Sequence, residues 1–297
     1  MFGKMTALAA LLLSGCAPGV LPQTQARNAF TPQQWASVCQ PNAGWDDAGP
    51  PFRIHGNSWH VGTCGIAAIL IAGSDGHVLI DSGTEAGAEV VMANIRRLGF
   101  RLEDVSLLLM SHEHHDHTGG MAALKAATGA RLIASPPAAP VMASGTAAPD
   151  DPQFDMIPGF APVAVDQVLG PDGRVEFGGL SMQAITTPGH TPGALSWQWR
   201  SCAGKDCRML VFADSLSAIS SDTYRFSDHP AYVAAFREGL ARLATVKCDM
   251  LLTPHPSASG LHARAAAGLP KDGAACANYA ESKLAQLERR LAEEAIR

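Results

Sequence analysis

The residues best suited to chemistry lie in one run, Ser111-His112-Glu113-His114-His115-Asp116-His117-Thr118-Gly119-Gly120, which holds four of the chain's eleven histidines. It follows the apolar stretch Val105–Met110, which reads as a buried strand, so the histidines sit on the loop leaving the strand's end. Neutral imidazoles with a carboxylate suit zinc, and ligands packed this tightly allow two cations to share them. The plain alternative is a solvated polar loop, and the spacing His-x-His-x-Asp-His argues against it. The chain is expected to bind metal.

Two more histidines stand in comparable settings. His190 lies in Thr187-Pro188-Gly189-His190-Thr191-Pro192-Gly193, and His255 in Thr253-Pro254-His255-Pro256-Ser257. Proline and glycine restrict the backbone around each, which helps hold a ligand rigidly. Alone, either would be a structural loop residue; beside a metal motif, both become candidate ligands. No Gly-x-Ser-x-Gly or Ser-x-x-Lys stands in a supporting triad pattern, so a serine mechanism has little local support.

Elements that would position these loops follow from apolar periodicity. Residues 65–71 and 77–81 read as strands around the turn Gly73-Ser74-Asp75-Gly76. Val91, Ile95 and Leu98 then recur on one helical face that stops at Gly99. After the histidine loop come a helix from Met121 to about Thr128 and the strand Arg131–Ala134. Residues 136–162 show no clear period, and a loop of that length is either a functional lid or a surface insertion. Further strands are expected at Val175–Phe177, Leu180–Ile185, Leu195–Arg200, Arg208–Ala213 and Met250–Leu252. Tyr232, Phe236, Leu240 and Leu243 mark one helix, and Leu284, Leu287 and Leu291 another. Two strand-then-helix halves fit an α/β four-layer sandwich, αβ/βα, with two sheets between outer helices.

The 297 residues, 47% hydrophobic and 16% charged, describe a compact globular protein. A net charge of -5 without a basic run argues against nucleic acid as a partner. Lys4 followed by Met5–Leu13 has the layout of a signal peptide over residues 1–15, too short to span a bilayer. Residues 16–50 read as a linker and irregular N-terminal arm, and residues 51–297 as the folded domain. Leu13-Ser14-Gly15-Cys16 resembles the bacterial lipobox, where cleavage leaves Cys16 as a lipid-carrying N-terminus; an ordinary signal cleaved further on is the alternative. The expected location is the bacterial periplasm, with membrane attachment through Cys16. An even set of cysteines remains, and export favours disulfides between neighbours in sequence: Cys39–Cys64, Cys202–Cys207 and Cys248–Cys276.

His112-x-His114-x-Asp116-His117, then His190, Asp214 and His255, with Asp81 closing an early strand, resemble the metallo-β-lactamase superfamily from about residue 55 onward. Within it the chain resembles the third subclass of class B β-lactamases. The resemblance implies two zinc ions, one on His112, His114 and His190, the other on Asp116, His117 and His255. It implies that Asp81 accepts a hydrogen bond positioning the metal loop. Ser215 and Ser217 match serines that face the substrate carboxylate. Asp214 stands where thioesterases and lactonases of the superfamily bridge their metals, so it either bridges or, as favoured here, supports a ligand from behind. The implied reaction is hydrolysis of the β-lactam amide of penicillins, cephalosporins or carbapenems by a metal-bound hydroxide, with Asp116 orienting the nucleophile, and hence antibiotic resistance. A monomer acting on this small-molecule substrate is expected. An exported lactonase or other metallohydrolase of the same fold is the alternative.

Overall fold

The computed structural model describes residues 28–296, so the expected signal peptide and Cys16 lie outside the described residues. Strand β1 (Phe52–His55), β2 (Ser58–His60), β3 (Ile69–Ala72) and β4 (His77–Ile80) form an antiparallel run. β5 (Val105–Leu109), β6 (Arg131–Ala134) and β7 (Gln167–Val168) extend it in parallel to a seven-stranded sheet. β8 (Arg174–Phe177), β9 (Leu180–Thr186), β10 (Leu195–Ala203), β11 (Asp206–Phe212) and β12 (Met250–Leu252) form a five-stranded sheet, antiparallel except for β11 with β12.

The period-two alternation of these strands decides the layering. Ile69, Ile71, Val78, Ile80, Leu107 and Leu109 point inward and meet Trp197, Trp199, Leu210, Phe212, Met250 and Leu252 of the other sheet. The intervening Leu70, Leu79, Leu108 and Met110 point outward onto α2 (Glu85–Arg97) and α4 (Met121–Thr128), whose Val91, Ile95, Met121 and Leu124 cover them. On the other outer face, Val211 and Leu251 pack on α6 (Pro230–Thr245) and α8 (Ala275–Ile296) through Phe236, Leu240, Leu243, Tyr279 and Leu287. These are the helix, sheet, sheet and helix layers expected from the sequence.

Three local expectations need correction. The stretch read as an irregular arm contains α1 (Pro32–Val38), begun by a Thr31–Gln34 capping box and anchored by fully buried Trp35. The unpatterned segment after Pro136 contains α5 (Ala138–Ser144), which buries Ala138, Val141 and Met142. In α8 the leucine spacing marked the core face only in part: Leu287 is buried and Leu291 packs on the core, whereas Leu284 is 36% exposed and Lys283 and Glu294 are buried.

The three disulfides pair as expected. Cys39–Cys64 ties the end of α1 to the segment before β3, Cys202–Cys207 closes the β10–β11 hairpin, and Cys248–Cys276 joins the approach to β12 to α8.

Candidate metal centre

The site lies where strands from both sheets end. β4 leads to Asp81, β5 to the histidine loop, β9 to the His190 loop, β11 to Asp214–Ser217, and β12 to His255. The sheets are stitched here by polar contacts: Leu195 N donates to Ser111 O at 2.7 Å, and Trp197 Nε1 to Met110 O at 2.8 Å.

Asp81 sits in the left-handed region, with φ of 63°, a conformation that costs an L-residue energy unless its surroundings fix it. Its carboxylate accepts from Ser111 N and Ser111 Oγ, both at 2.6 Å, which pins the start of the histidine loop. The loop then turns into the short helix α3 (His115–Thr118), carrying Asp116 and His117. Gly189 is required in the His190 loop: its φ is 154°, and a Cβ there would lie 2.2 Å from the Phe236 ring.

Two donor groups result. Ligand atoms of His112, His114 and His190 lie within 4.8 Å of one another, and so do those of His112, Asp116 and His117. His255 joins the second group through its Nε2, 3.3 Å from both Asp116 Oδ2 and His117 Nε2. Asp116 Oδ2 is also 3.0 Å from His117 Nε2. His115 belongs to neither group and packs edge-on against Trp45.

The imidazoles are aimed by contacts to their far nitrogens, a recurrent feature of metal sites. His112 Nδ1 lies 2.8 Å from Asp214 Oδ1, leaving a buried Nε2 without a partner among the described residues. His190 Nδ1 is 3.1 Å from the Ser217 carbonyl oxygen. His114 Nε2 is 3.0 Å from Asp151 Oδ2, which leaves its Nδ1 for the site. Burial pushes His112, His117 and His190 below the ordinary histidine value, favouring the neutral form that ligates metals. Burial also pulls His114 down, but the bond to Asp151 more than offsets it. Burial pushes Asp116 up, yet the adjacent His117 and His255 hold it below the usual carboxylate range, so it is anionic.

This donor set fits zinc. It consists of imidazoles and one carboxylate, a partnerless buried His112 Nε2 faces no protein acceptor, and the six cysteines of the described residues are all in disulfides. Asp214 lies against the far nitrogen of His112.

Sequence reasoning missed three contributors. Asp151 comes from the long unpatterned segment and is buried. Glu113 is buried between ligands, where it accepts from Thr191 Oγ1 at 2.7 Å and Gly193 N at 2.8 Å and so clamps the His190 loop to the histidine loop. Burial raises its carboxyl to about 7, against the pull of Thr191. Lys283 donates to Ser217 Oγ at 2.9 Å from a helix with no visible link to the site in sequence. Only Glu113 offered a signal, as a carboxylate inside the histidine motif.

The sequence matches the family described as the metallo-beta-lactamase superfamily over residues 61–255, and the chain belongs to that superfamily. Among solved structures it is similar to the MIM-2 metallo-beta-lactamase, at 52% identity and a TM-score of 0.86, covering 90% of this chain and 100% of that one. MIM-1 from Novosphingobium pentaromativorans is 48% identical, with a TM-score of 0.85 over 89% of this chain and 98% of its own. MEM-A1, a subclass B3 metallo-beta-lactamase from a soil metagenome library, is 39% identical, with a TM-score of 0.81 over 85% and 99%. The chain is also 30% identical to a hydroxyacylglutathione hydrolase of Albidiferax ferrireducens over 166 residues, which are 56% of this chain and 53% of that protein. It thus spans about half the length of that curated relative.

Proposed function

We propose that this protein is a zinc-dependent β-lactamase of the B3 type, holding two zinc ions. The observation that carries the reading is the convergence of the two donor groups with the Ser215–Ser217 stretch, whose Ser217 carbonyl oxygen lies 3.1 Å from His190 Nδ1. Hydroxyls so placed can hold a substrate carboxylate while the metal donors address the neighbouring ring carbonyl. The high-coverage solved relatives named above support it.

His112, His114 and His190 would hold one zinc, and Asp116, His117 and His255 the other, with His112 close to both groups. When bound, zinc supplies an acidified water and Lewis-acid polarisation of a carbonyl. Asp116, anionic and at the centre of the second group, would orient the attacking water. Asp214, Asp151 and the Ser217 carbonyl hold three imidazoles in one orientation, so no reorganisation of ligands accompanies the reaction. Trp45, 45% exposed and 6.0 Å from the His255 ring, gives the mouth an apolar wall against which the substrate excludes water.

A thioesterase or lactonase is the second reading, favoured by the hydroxyacylglutathione hydrolase relatives. Placement of Asp214 behind His112, rather than between the donor groups, supports the lactamase. The test is hydrolysis of nitrocefin, S-lactoylglutathione and an acyl-lactone by zinc-loaded protein, with and without chelator. Chelator-sensitive nitrocefin turnover exceeding the other two is expected; faster thioester or lactone turnover overturns the reading.

The proposal extends to location. Three disulfides suit an oxidising compartment, and residues 1–16 have the signal and lipobox pattern, so we place the mature protein in the periplasm, anchored through Cys16.

A further inference from the structure

Ser215–Ser217 is an unusual stretch of backbone. Leu216 lies in the left-handed region with φ of 49°, which a buried branched residue adopts only when its surroundings impose it. The imposition comes from α8 and from Asp214. Tyr279 OH donates to the carbonyls of Asp214 at 3.0 Å and Ser215 at 2.8 Å, and Leu216 N donates to Asp214 Oδ2 at 3.1 Å. Leu216 turns into the core between the two serines.

One turn further along α8, Lys283 extends beneath the same stretch. It is 7% exposed, with its Nζ 2.9 Å from Ser217 Oγ and 5.1 Å from the centre of the Tyr279 ring. Among the described residues this hydroxyl is its only hydrogen-bond partner, and no carboxylate lies within ion-pair distance. A buried ammonium with no ion-pair contact, only the more distant Asp214 carboxylate, is costly to keep, whereas a structural need for length and apolar contact is met by leucine or methionine. The two hydroxyls above it are lightly committed. Ser217 Oγ donates to the Ser215 carbonyl at 3.2 Å, and Ser215 Oγ is buried with no partner among the described residues. A cation with no carboxylate in ion-pair contact, Asp214 acting on it only from further off, thus stands behind the two hydroxyls.

We infer that Lys283 is the positive pole of a carboxylate site: it fixes Ser217 Oγ as an acceptor, so that the Ser217 and Ser215 protons turn toward the carboxylate of a bound β-lactam. The hydroxyls alone were the donors expected from sequence, because residues 215–223 contain no lysine or arginine. α8 supplies the missing charge from 66 positions away. The inference rests on the lactamase reading for the identity of the ligand, a bicyclic lactam bearing a free carboxylate.

The test compares a penicillin or cephalosporin with its methyl ester, which has the same ring and no charge. Lys283→Met keeps the stem and removes the ammonium. It is expected to cut the acid-over-ester preference in kcat/KM roughly tenfold, through KM of the acid rather than kcat, with zinc content unaltered. Ser217→Ala is expected to lower the same ratio, and adding Lys283→Met to it should lower it little further, because the charge acts through that hydroxyl. A structural lysine would instead depress acid and ester alike and lower the melting temperature; that result, or an unchanged ratio, overturns the inference. If Lys283→Met does not fold, an acid-over-ester ratio in Ser217→Ala equal to that of the unmodified protein overturns it equally. Should the unmodified protein hydrolyse neither acid nor ester, the lactamase reading fails. The carboxylate site is then judged by calorimetric titration with phenylacetylglycine, whose binding must weaken in either variant.

Discussion

Asp151 and His114 are both buried, and the carboxylate Oδ2 of one lies 3.0 Å from the Nε2 of the other. This contact fixes which imidazole nitrogen is left for a metal, and it comes from a segment whose sequence has no regular period. Asp151 is held in turn by donation from Gln153 N to its Oδ1 at 2.7 Å. Replacing Asp151 by Ala frees the ring to rotate and removes its acceptor. Affinity for the metal on the first donor group should fall roughly 10- to 100-fold, read by competition with a chromophoric chelator. An affinity equal to that of the unmodified protein would show that the carboxylate does not orient the ligand.

His112 and His255 should behave differently. The sequence reading confined His112 to one metal, but its ligand atom lies within 4.8 Å of both donor groups, and its ring centre is 4.2 Å from that of His117. His112→Ala is therefore expected to weaken both metals, and His255→Ala only the second. Metal analysis after dialysis reads the two variants directly. Equal retention by both would refute this division.

Gly189→Ala tests how far the His190 loop depends on close approach. The added methyl would stand 2.2 Å from the Phe236 ring, in a backbone conformation that L-residues resist. The loop or α6 must shift, at a cost of about 1–3 kcal/mol, and His190 moves with the loop. A lower melting temperature together with weaker binding of the first metal is expected. Loss of stability at full metal affinity would show that His190 is positioned independently of this contact.

His60 gives a pH prediction remote from the metal donors. It is fully buried, stacked on Phe52 with Trp35 close by, and neither ring nitrogen has a partner among the described residues. Burial, with a contribution from His262, lowers it from 6.5 to about 3. The folded value lies below the unfolded one, so the stability tied to the neutral ring is complete above pH 6.5 and is lost as pH falls toward 3. The loss approaches about 1.4 kcal/mol per pH unit in that window. Chemical denaturation between pH 7 and 4 should show at least this slope, and His60→Phe should reduce it, leaving the part due to the other buried histidines. The same acid dependence in the variant would place its origin elsewhere.

The parts of this molecule that were legible in sequence are those coded by nearby residues. Continuous apolar runs in β3, β4 and β5 marked the strands because each buries both faces against different layers. His112, His114, Asp116 and His117 were legible because one loop holds them, and His190 and His255 because proline and glycine flank them. What escaped depends on contacts made across the chain. α1 is short and weakly patterned, and Trp35 becomes a core residue only by meeting Phe52 and His262. Asp151 has no local mark and acquires its role from a histidine 37 positions earlier. Lys283 lies one turn before Leu287 on the face the leucines marked, but as a charged residue it was not read as buried, because periodicity assumes an apolar neighbour and here the neighbour is Ser217.

The stapling of α8 by Cys248–Cys276 has a consequence for the order in which the protein comes alive. Every side chain assigned to the metals has emerged once synthesis passes His255, whereas Tyr279 and Lys283, which brace Ser215–Ser217, come later, on the helix that Cys248–Cys276 ties to the approach to β12. A nascent chain halted between these points carries a full set of donors and no floor beneath the serines. Capture of metal and shaping of the serine floor would then mature as separate events, the second awaiting the docking of α8.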